Sequence, residues 1–317
     1  MLARLLREER TLGAGLLAFG IVAGVAAPQL CMMMKPYALI GLFMVIIFSL
    51  VPFATLPLDA IVTVDKSVCR LVAWQQIVLP CIIISAGILA KFPDAIIAMM
   101  IVTTTAGSVF ASPAFAQLLG LDRRLALQSM ILSTLFTPIS LYVGLLVLLG
   151  SSVELHLWHY LERTGIFLAL PILIFLVYRQ IAIRLPARAT PGVELTARWA
   201  ALVALLVFGL GVMADLNGVL ETDPLKVVFY LGITTMMCAA MLAVTTIVMF
   251  RFGLTEALTG GVLAAFRNVG LGFALIGDGI NPDLDIYVGV SMLPLFLAPI
   301  VLRAVTAERA NAHYVPA

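Results

Sequence analysis

Residues 251–279 read RFGLTEALTGGVLAAFRNVGLGFALIGDG. The stretch is long enough to cross a bilayer, and Arg267 stands near its middle with apolar chain on both sides. A cation at that depth costs at least about 2.5–3.5 kcal/mol on insertion scales. It must therefore face a protein cavity or a partner, and no carboxylate lies at comparable depth. Asn268 and Gly270 follow at once, so a helix is predicted to break there. A broken helix carrying a charge at the midplane is how many secondary transporters build a substrate or ion site.

The rest of the chain supplies the setting. It is 62% hydrophobic and 11% charged, with a mean hydropathy of +1.13, which marks an all-α polytopic membrane protein. A span needs about 20 apolar residues. Reading on that length gives ten segments, at roughly 11–31, 36–56, 69–90, 94–120, 125–149, 162–182, 197–215, 225–249, 254–279 and 284–304. Lys35-Pro36, Phe92-Pro93-Asp94, Leu121-Asp122-Arg123-Arg124, Pro186 with Pro191-Gly192, and Asp223-Pro224 punctuate them. The first segment imitates a signal peptide, with arginines before an apolar run, but the count of ten requires it to be retained. No stretch between segments is long enough for a soluble domain.

Ten spans place both ends of the chain on one side. That side then carries fourteen of the 19 Lys and Arg and the other carries four, Lys35, Lys91, Arg163 and Lys226, with Arg267 between them. The bias puts both termini in the cytoplasm of a bacterial inner membrane protein. A net charge of +2 implies no nucleic-acid partner. The four cysteines show no metal spacing and read as small buried side chains.

Segments four and nine look like counterparts. Lys91-Phe92-Pro93 opens one and Arg251-Phe252-Gly253 opens the other. Fifteen residues after each Phe comes Gly107 in the first and Arg267 in the second. Around Gly107 the chain reads TTTAGSVFASPAF (103–115), polar and helix-breaking, and Pro113 removes a backbone donor. Carbonyls freed at mid-membrane need partners. Four and nine are each fourth of five, so the second half enters from the opposite face. The expected fold is two inverted five-helix repeats with discontinuous helices 4 and 9 crossing near the centre.

At this point the chain resembles the bile acid:sodium symporter family, within the wider group of bile acid, arsenite and riboflavin transporters. The resemblance rests on KPYALIGLFMVIIFSL (35–50), WQQIVLP (74–80), the interrupted segment four, DRRLALQSMILSTLFTPIS (122–140) and FRNVGLGFALIG (266–277). It implies a panel domain of helices 1, 2, 6 and 7 (about 11–56 and 162–215) and a core domain of helices 3–5 and 8–10 (about 69–149 and 225–304). It implies alternating access, with substrate held between the domains beside the crossing. It also implies two sodium ions at the crossing, and there the chain departs. Gln75 and Ser112 match the family's oxygen ligands. Pro113 replaces an asparagine, Ala126 and Met130 replace hydroxyls, Leu263 replaces an acid, and Arg267 replaces a glutamine. Hard cations want oxygen ligands, so neither sodium site is expected here.

Two roles for Arg267 follow, and they are compatible. The guanidinium can replace a sodium ion structurally, donating to carbonyls that end the first half of helix nine, where the macrodipole favours positive charge, and to Gln75, Thr104 or Ser112. Alternatively its planar fork can bind an anionic headgroup. The substrate-binding set is read as Arg267, Asn268, Gln75, Thr104, Thr105, Ser108, Ser112 and Ser291. The apolar panel walls suit an organic anion or amphiphile. No cofactor is implied, the lipid bilayer is the other partner, and the chain reads as a monomer.

Other clusters have plainer readings. Glu154, His156, His159 and Glu162 form a solvated loop. Asp278, Asp283 and Asp285 form a turn at the outer mouth, and Asp215 is interfacial. No H-E-x-x-H, G-x-S-x-G or intramembrane acid pair suggests an enzyme. An arsenite permease is disfavoured, because that branch expects a cysteine in helix four and an acid at Leu263. The competing functions are a passive facilitator or channel, and a membrane sensor or lipid-binding protein on the same scaffold.

Overall fold

Apolar runs without breakers, in a medium that offers no hydrogen bonds to the backbone, leave the helix as the economical answer. The computed structural model describes residues 15–16, 18–20, 22–55, 64–149, 156–184, 190–277, 283–295 and 297. Among these the regular structure is helical, with one isolated β-bridge. Six helices are long and apolar enough to cross a membrane: α1 (Pro28–Phe53), α2 (Lys66–Leu89), α5 (Arg123–Leu149), α6 (Leu157–Ala182), α7 (Gly192–Thr222) and α8 (Pro224–Phe252). Four shorter helices complete the order: α3 (Asp94–Thr105) and α4 (Ser112–Leu118) between α2 and α5, and α9 (Leu254–Ala265) and α10 (Val269–Ile276) after α8. A last helix, α11, covers 283–295. Residues 11–14, 17 and 21 of segment one, the end of segment ten, Asp278 and Glu154 lie outside the described residues, and the described part of segment one before Ala27 is helical.

Two expected boundaries move. Lys35-Pro36 does not end a helix. A single 3-10 turn at Lys35–Tyr37 absorbs the missing proline donor, and α1 starts instead at Ala27-Pro28, where Ala27 is non-helical and Pro28 needs no donor. Segment seven is longer than 197–215, because Pro191 sits in the first turn of a helix beginning at Thr190 and the helix resumes after Met213 as far as Thr222.

The outer surface is apolar. Ile247, Leu225 and Leu89 are 74%, 78% and 82% exposed, and α2, α6 and α8 present rows of Ile, Leu and Val outward. That is the inverse of a soluble domain and fits a lipid solvent. Cys31 is buried as expected, but Cys69 and Cys81 are exposed on α2, whose outward face tolerates any apolar side chain.

Polar ties mark the two ends of the bundle. At one end Lys35 pairs with Asp215 at 2.6 Å, Lys226 with Asp283 at 2.5 Å, and Arg163 donates to Ala274 O at 3.2 Å. At the other Arg70 pairs with Glu256, Arg124 with Asp65 at 3.4 Å, and Arg179 donates to Ala54 O at 3.0 Å.

Inside, helices approach through glycines. α1 lies along α7, and a Cβ at Gly41 would stand 2.9 Å from both Ala204 O and Phe208 N. Such a contact forces the helices apart, at typically about 1–3 kcal/mol. Gly41→Ala is therefore expected to lower the thermal midpoint of the detergent-purified protein. Gly232→Ala, where a Cβ would meet nothing within 4 Å, is expected to hold or raise it, since helical glycine costs about 0.5–1 kcal/mol relative to alanine.

Candidate functional site

The two interrupted segments meet. α3 leaves helical geometry at Ala106 (φ −58°, ψ 144°), and α9 leaves it at Phe266 (φ −101°, ψ 88°). The extended residues pair antiparallel at Ser108 and Arg267. Val109 N donates to Phe266 O at 3.0 Å, and Asn268 N donates to Gly107 O at 2.8 Å. Two breaks thus satisfy each other's backbone. Gly107 is needed there because α5 passes close by: a Cβ would lie 2.9 Å from Thr134 N and Cα. The amide of Ser108 donates to Ser133 Oγ at 3.2 Å. Asn268 caps the helix that follows, its side chain accepting from Leu271 N at 3.2 Å.

Arg267 is 4% exposed. Its Nη2 donates to Gln75 O at 2.6 Å and to Thr104 O, and its Nη1 to Gln75 Oε1 at 3.4 Å. Each acceptor is free for a reason legible in the chain. Thr104 lies in the last turn of α3, whose carbonyls lack helical donors and form the negative pole of the helix. Gln75 lies in a π-turn, Trp74–Val78, in which Leu79 N reaches back to Trp74 O. The next residue is Pro80, with no N–H. The register slip and the proline together leave the Gln75 carbonyl without a helical donor.

The expectation that Arg267 would cap its own half-helix is corrected by this geometry. In α9 the Val262 carbonyl accepts from Phe266 N and the Leu263 carbonyl from Ser108 Oγ, at 3.2 and 3.0 Å. Arg267 stands opposite Ser108 in the bridge, and the carbonyls it meets are those of α3 and α2. Gln75 completes the cluster, donating from Nε2 to Gly260 O at 3.2 Å. Among the described residues no carboxylate pairs with Arg267.

The other candidates separate into groups. Gln75, Ser108 and the Thr104 carbonyl join Arg267. The hydroxyls of Thr104, Thr105 and Ser112 bond their own turns, to Met100 O, Ile101 O and Val109 O at 2.7, 2.7 and 2.6 Å. Ser112 therefore takes no donor from Arg267. Ser291 bonds Val288 O at 2.7 Å and lines a small cavity beside Arg267. Ala126, Met130 and Leu263 are essentially inaccessible and sit in apolar packing, while Pro113 is buried. None of these four side chains carries an oxygen, whereas Gln75 and Ser112, which match the family's oxygen ligands, do.

Three participants escaped the sequence reading. Tyr287 shares a 2.7 Å hydrogen bond with Thr103, and Thr234 lines the same cavity. Ser140 bonds Gln76 Oε1 at 2.9 Å and Thr105 O at 3.2 Å. Ser140 was signalled by its place in TPIS after a helix-interior proline; Tyr287 and Thr234 carried no local signal.

The cavity beside Arg267 has a volume of about 20 Å³. A hollow of about 340 Å³ opens at the basic end, lined by Asp65, Asp122, Arg124, Gln128, Phe252 and Glu256 among others. Phe252 on its wall also carries Arg70, whose guanidinium carbon lies 3.4 Å from the ring centroid. His159 and Glu162, expected in a loop, lie instead in the first turns of α6, 3.6 Å apart and both largely exposed, with His156 just before the helix.

No family model matches the chain, and no curated protein matches it. The resemblance to the symporter family therefore rests on the sequence motifs alone.

Gln75→Leu removes one acceptor of Arg267 and one donor to Gly260, in a place water does not reach. Hydrogen bonds to charged groups contribute about 1.5–3 kcal/mol, so the variant should melt clearly below the parent. Ser112→Ala, which loses only a neutral bond within its own turn, should cost about 1 kcal/mol. Thermal unfolding followed by intrinsic fluorescence would rank the two.

Proposed function

We propose that this protein is a secondary transporter of an organic anion or amphiphile that works by alternating access without the two sodium ions of the family it resembles. The observation that carries the reading is the guanidinium of Arg267, buried at the meeting of two broken helices and held by main-chain carbonyls. Carbonyl oxygens gathered at helix breaks are what such folds offer a coupling cation. Here a covalently attached cation takes that position. The structural role of Arg267 is favoured over headgroup binding, because its Nη2 is committed to two carbonyls and the adjacent cavity is too small for a carboxylate with an apolar body.

Several features support the finer architecture of ten helices in two inverted five-helix repeats. The interruptions fall at matching distances from Phe92 and Phe252 and bond to each other. The polar ties join residues that a ten-helix path puts at the same end: Lys35 with Asp215 and Lys226 with Asp283 at one, Arg70 with Glu256 at the other. The second end also carries most of the arginines, which supports cytoplasmic termini in a bacterial inner membrane. In this reading α1, α6 and α7 belong to the panel, and the remaining helices form the core.

A thermal-shift screen of the purified protein against organic acids and amphiphiles identifies a ligand, since binding to the native state raises its apparent stability. Uptake of that ligand into proteoliposomes should be unchanged when sodium replaces potassium, and counterflow should show trans-stimulation, which a channel lacks. Arg267→Gln should reduce uptake by about tenfold or more, the equivalent of at least one charge-assisted bond. A clear sodium requirement would end this reading.

A further inference from the structure

Arg267 has a donor left over. Its Nη groups are engaged by Gln75 and Thr104, but its Nε has no partner although it is buried. Arg267 also lines the cavity of about 20 Å³, together with Thr103, Thr234 and Ser291. The rest of that wall is mostly apolar. A cavity needs about 10–15 Å³ of such space to hold one water, so this one takes a single small body.

The charge balance narrows what that body is. Dipoles stabilise the guanidinium but do not neutralise it, and among the described residues no carboxylate is paired with it. A buried charge is tolerated when it is paired and hydrogen-bonded. A neutral water would satisfy Nε and leave the net charge in place. A monoatomic anion would do both. Thr103 and Thr234 put hydroxyls on the cavity wall, the first sharing a 2.7 Å hydrogen bond with Tyr287, whose own hydroxyl also reaches Met237 Sδ at 3.8 Å. A cavity of about 20 Å³ fits a monoatomic anion better than the larger sulfate, phosphate or a carboxylate.

We propose that the cavity between Arg267, Thr103, Thr234 and Ser291 is a binding site for a halide-sized anion, chloride in the cell, which acts as the counter-ion of Arg267. The proposal does not depend on the carrier reading.

The test is thermal unfolding of the full-length purified protein in sodium chloride against sodium gluconate at equal ionic strength. Gluconate is too large for the cavity. Chloride should raise the midpoint by a few degrees and saturate, bromide should replace it, and Arg267→Gln should melt alike in both salts. Thr234→Val keeps Arg267 and removes a lining hydroxyl, so it serves if Arg267→Gln does not fold; it should lose most of the chloride response. Crystals grown in bromide should show an anomalous peak beside Arg267. Identical melting of the parent in the two salts would overturn the proposal. So would an undiminished chloride response in either variant, or an anomalous map empty at the cavity.

Discussion

One guanidinium against two main-chain carbonyls organises this molecule. Breaking a helix inside a membrane exposes carbonyls that lipid cannot satisfy. Burying an arginine there exposes donors with the same difficulty. Arg267, Thr104 O and Gln75 O resolve both problems at once. Neither half of the arrangement is tolerable alone, which explains why the charge and the breaks occur together.

The surrounding chain is shaped to present those acceptors. Pro80 and the π-turn before it free one carbonyl, and the end of α3 supplies the other. Gly107 lets α5 close over the break, and Ser133 takes the Ser108 amide from that side. Gln75 binds across from α2 to Gly260 in α9, so its side chain and its backbone serve the same cluster. Apolar packing of Ala126, Met130 and Leu263 fills the neighbouring space.

Much of this was legible in the residues. Hydropathy gave the helical membrane class, and Gly107, Pro113 and Asn268 marked the interruptions, because each acts on the backbone of its own neighbourhood. The burial of Arg267 followed from its depth. What could not be read was which carbonyls it would meet. That choice depends on a one-residue slip in α2, nearly two hundred positions away. Local chemistry also misled where two answers are allowed: Lys35-Pro36 passes through a 3-10 turn instead of ending a helix. The hydroxyls of Thr104, Thr105 and Ser112 look like cavity lining in sequence, yet each turns back on its own helix. Tyr287 was invisible because only the tertiary fold brings it to Thr103.

The two ends of the bundle are unlike. One is fastened by Lys35–Asp215, Lys226–Asp283 and Arg163 on Ala274 O, while the other, tied by Arg70–Glu256 and Arg124–Asp65, also contains the hollow between Asp65 and Glu256. At that end the Arg124–Asp65 pair lies on the wall of the hollow with both side chains more than half exposed, so dissolved salt reaches and screens the contact.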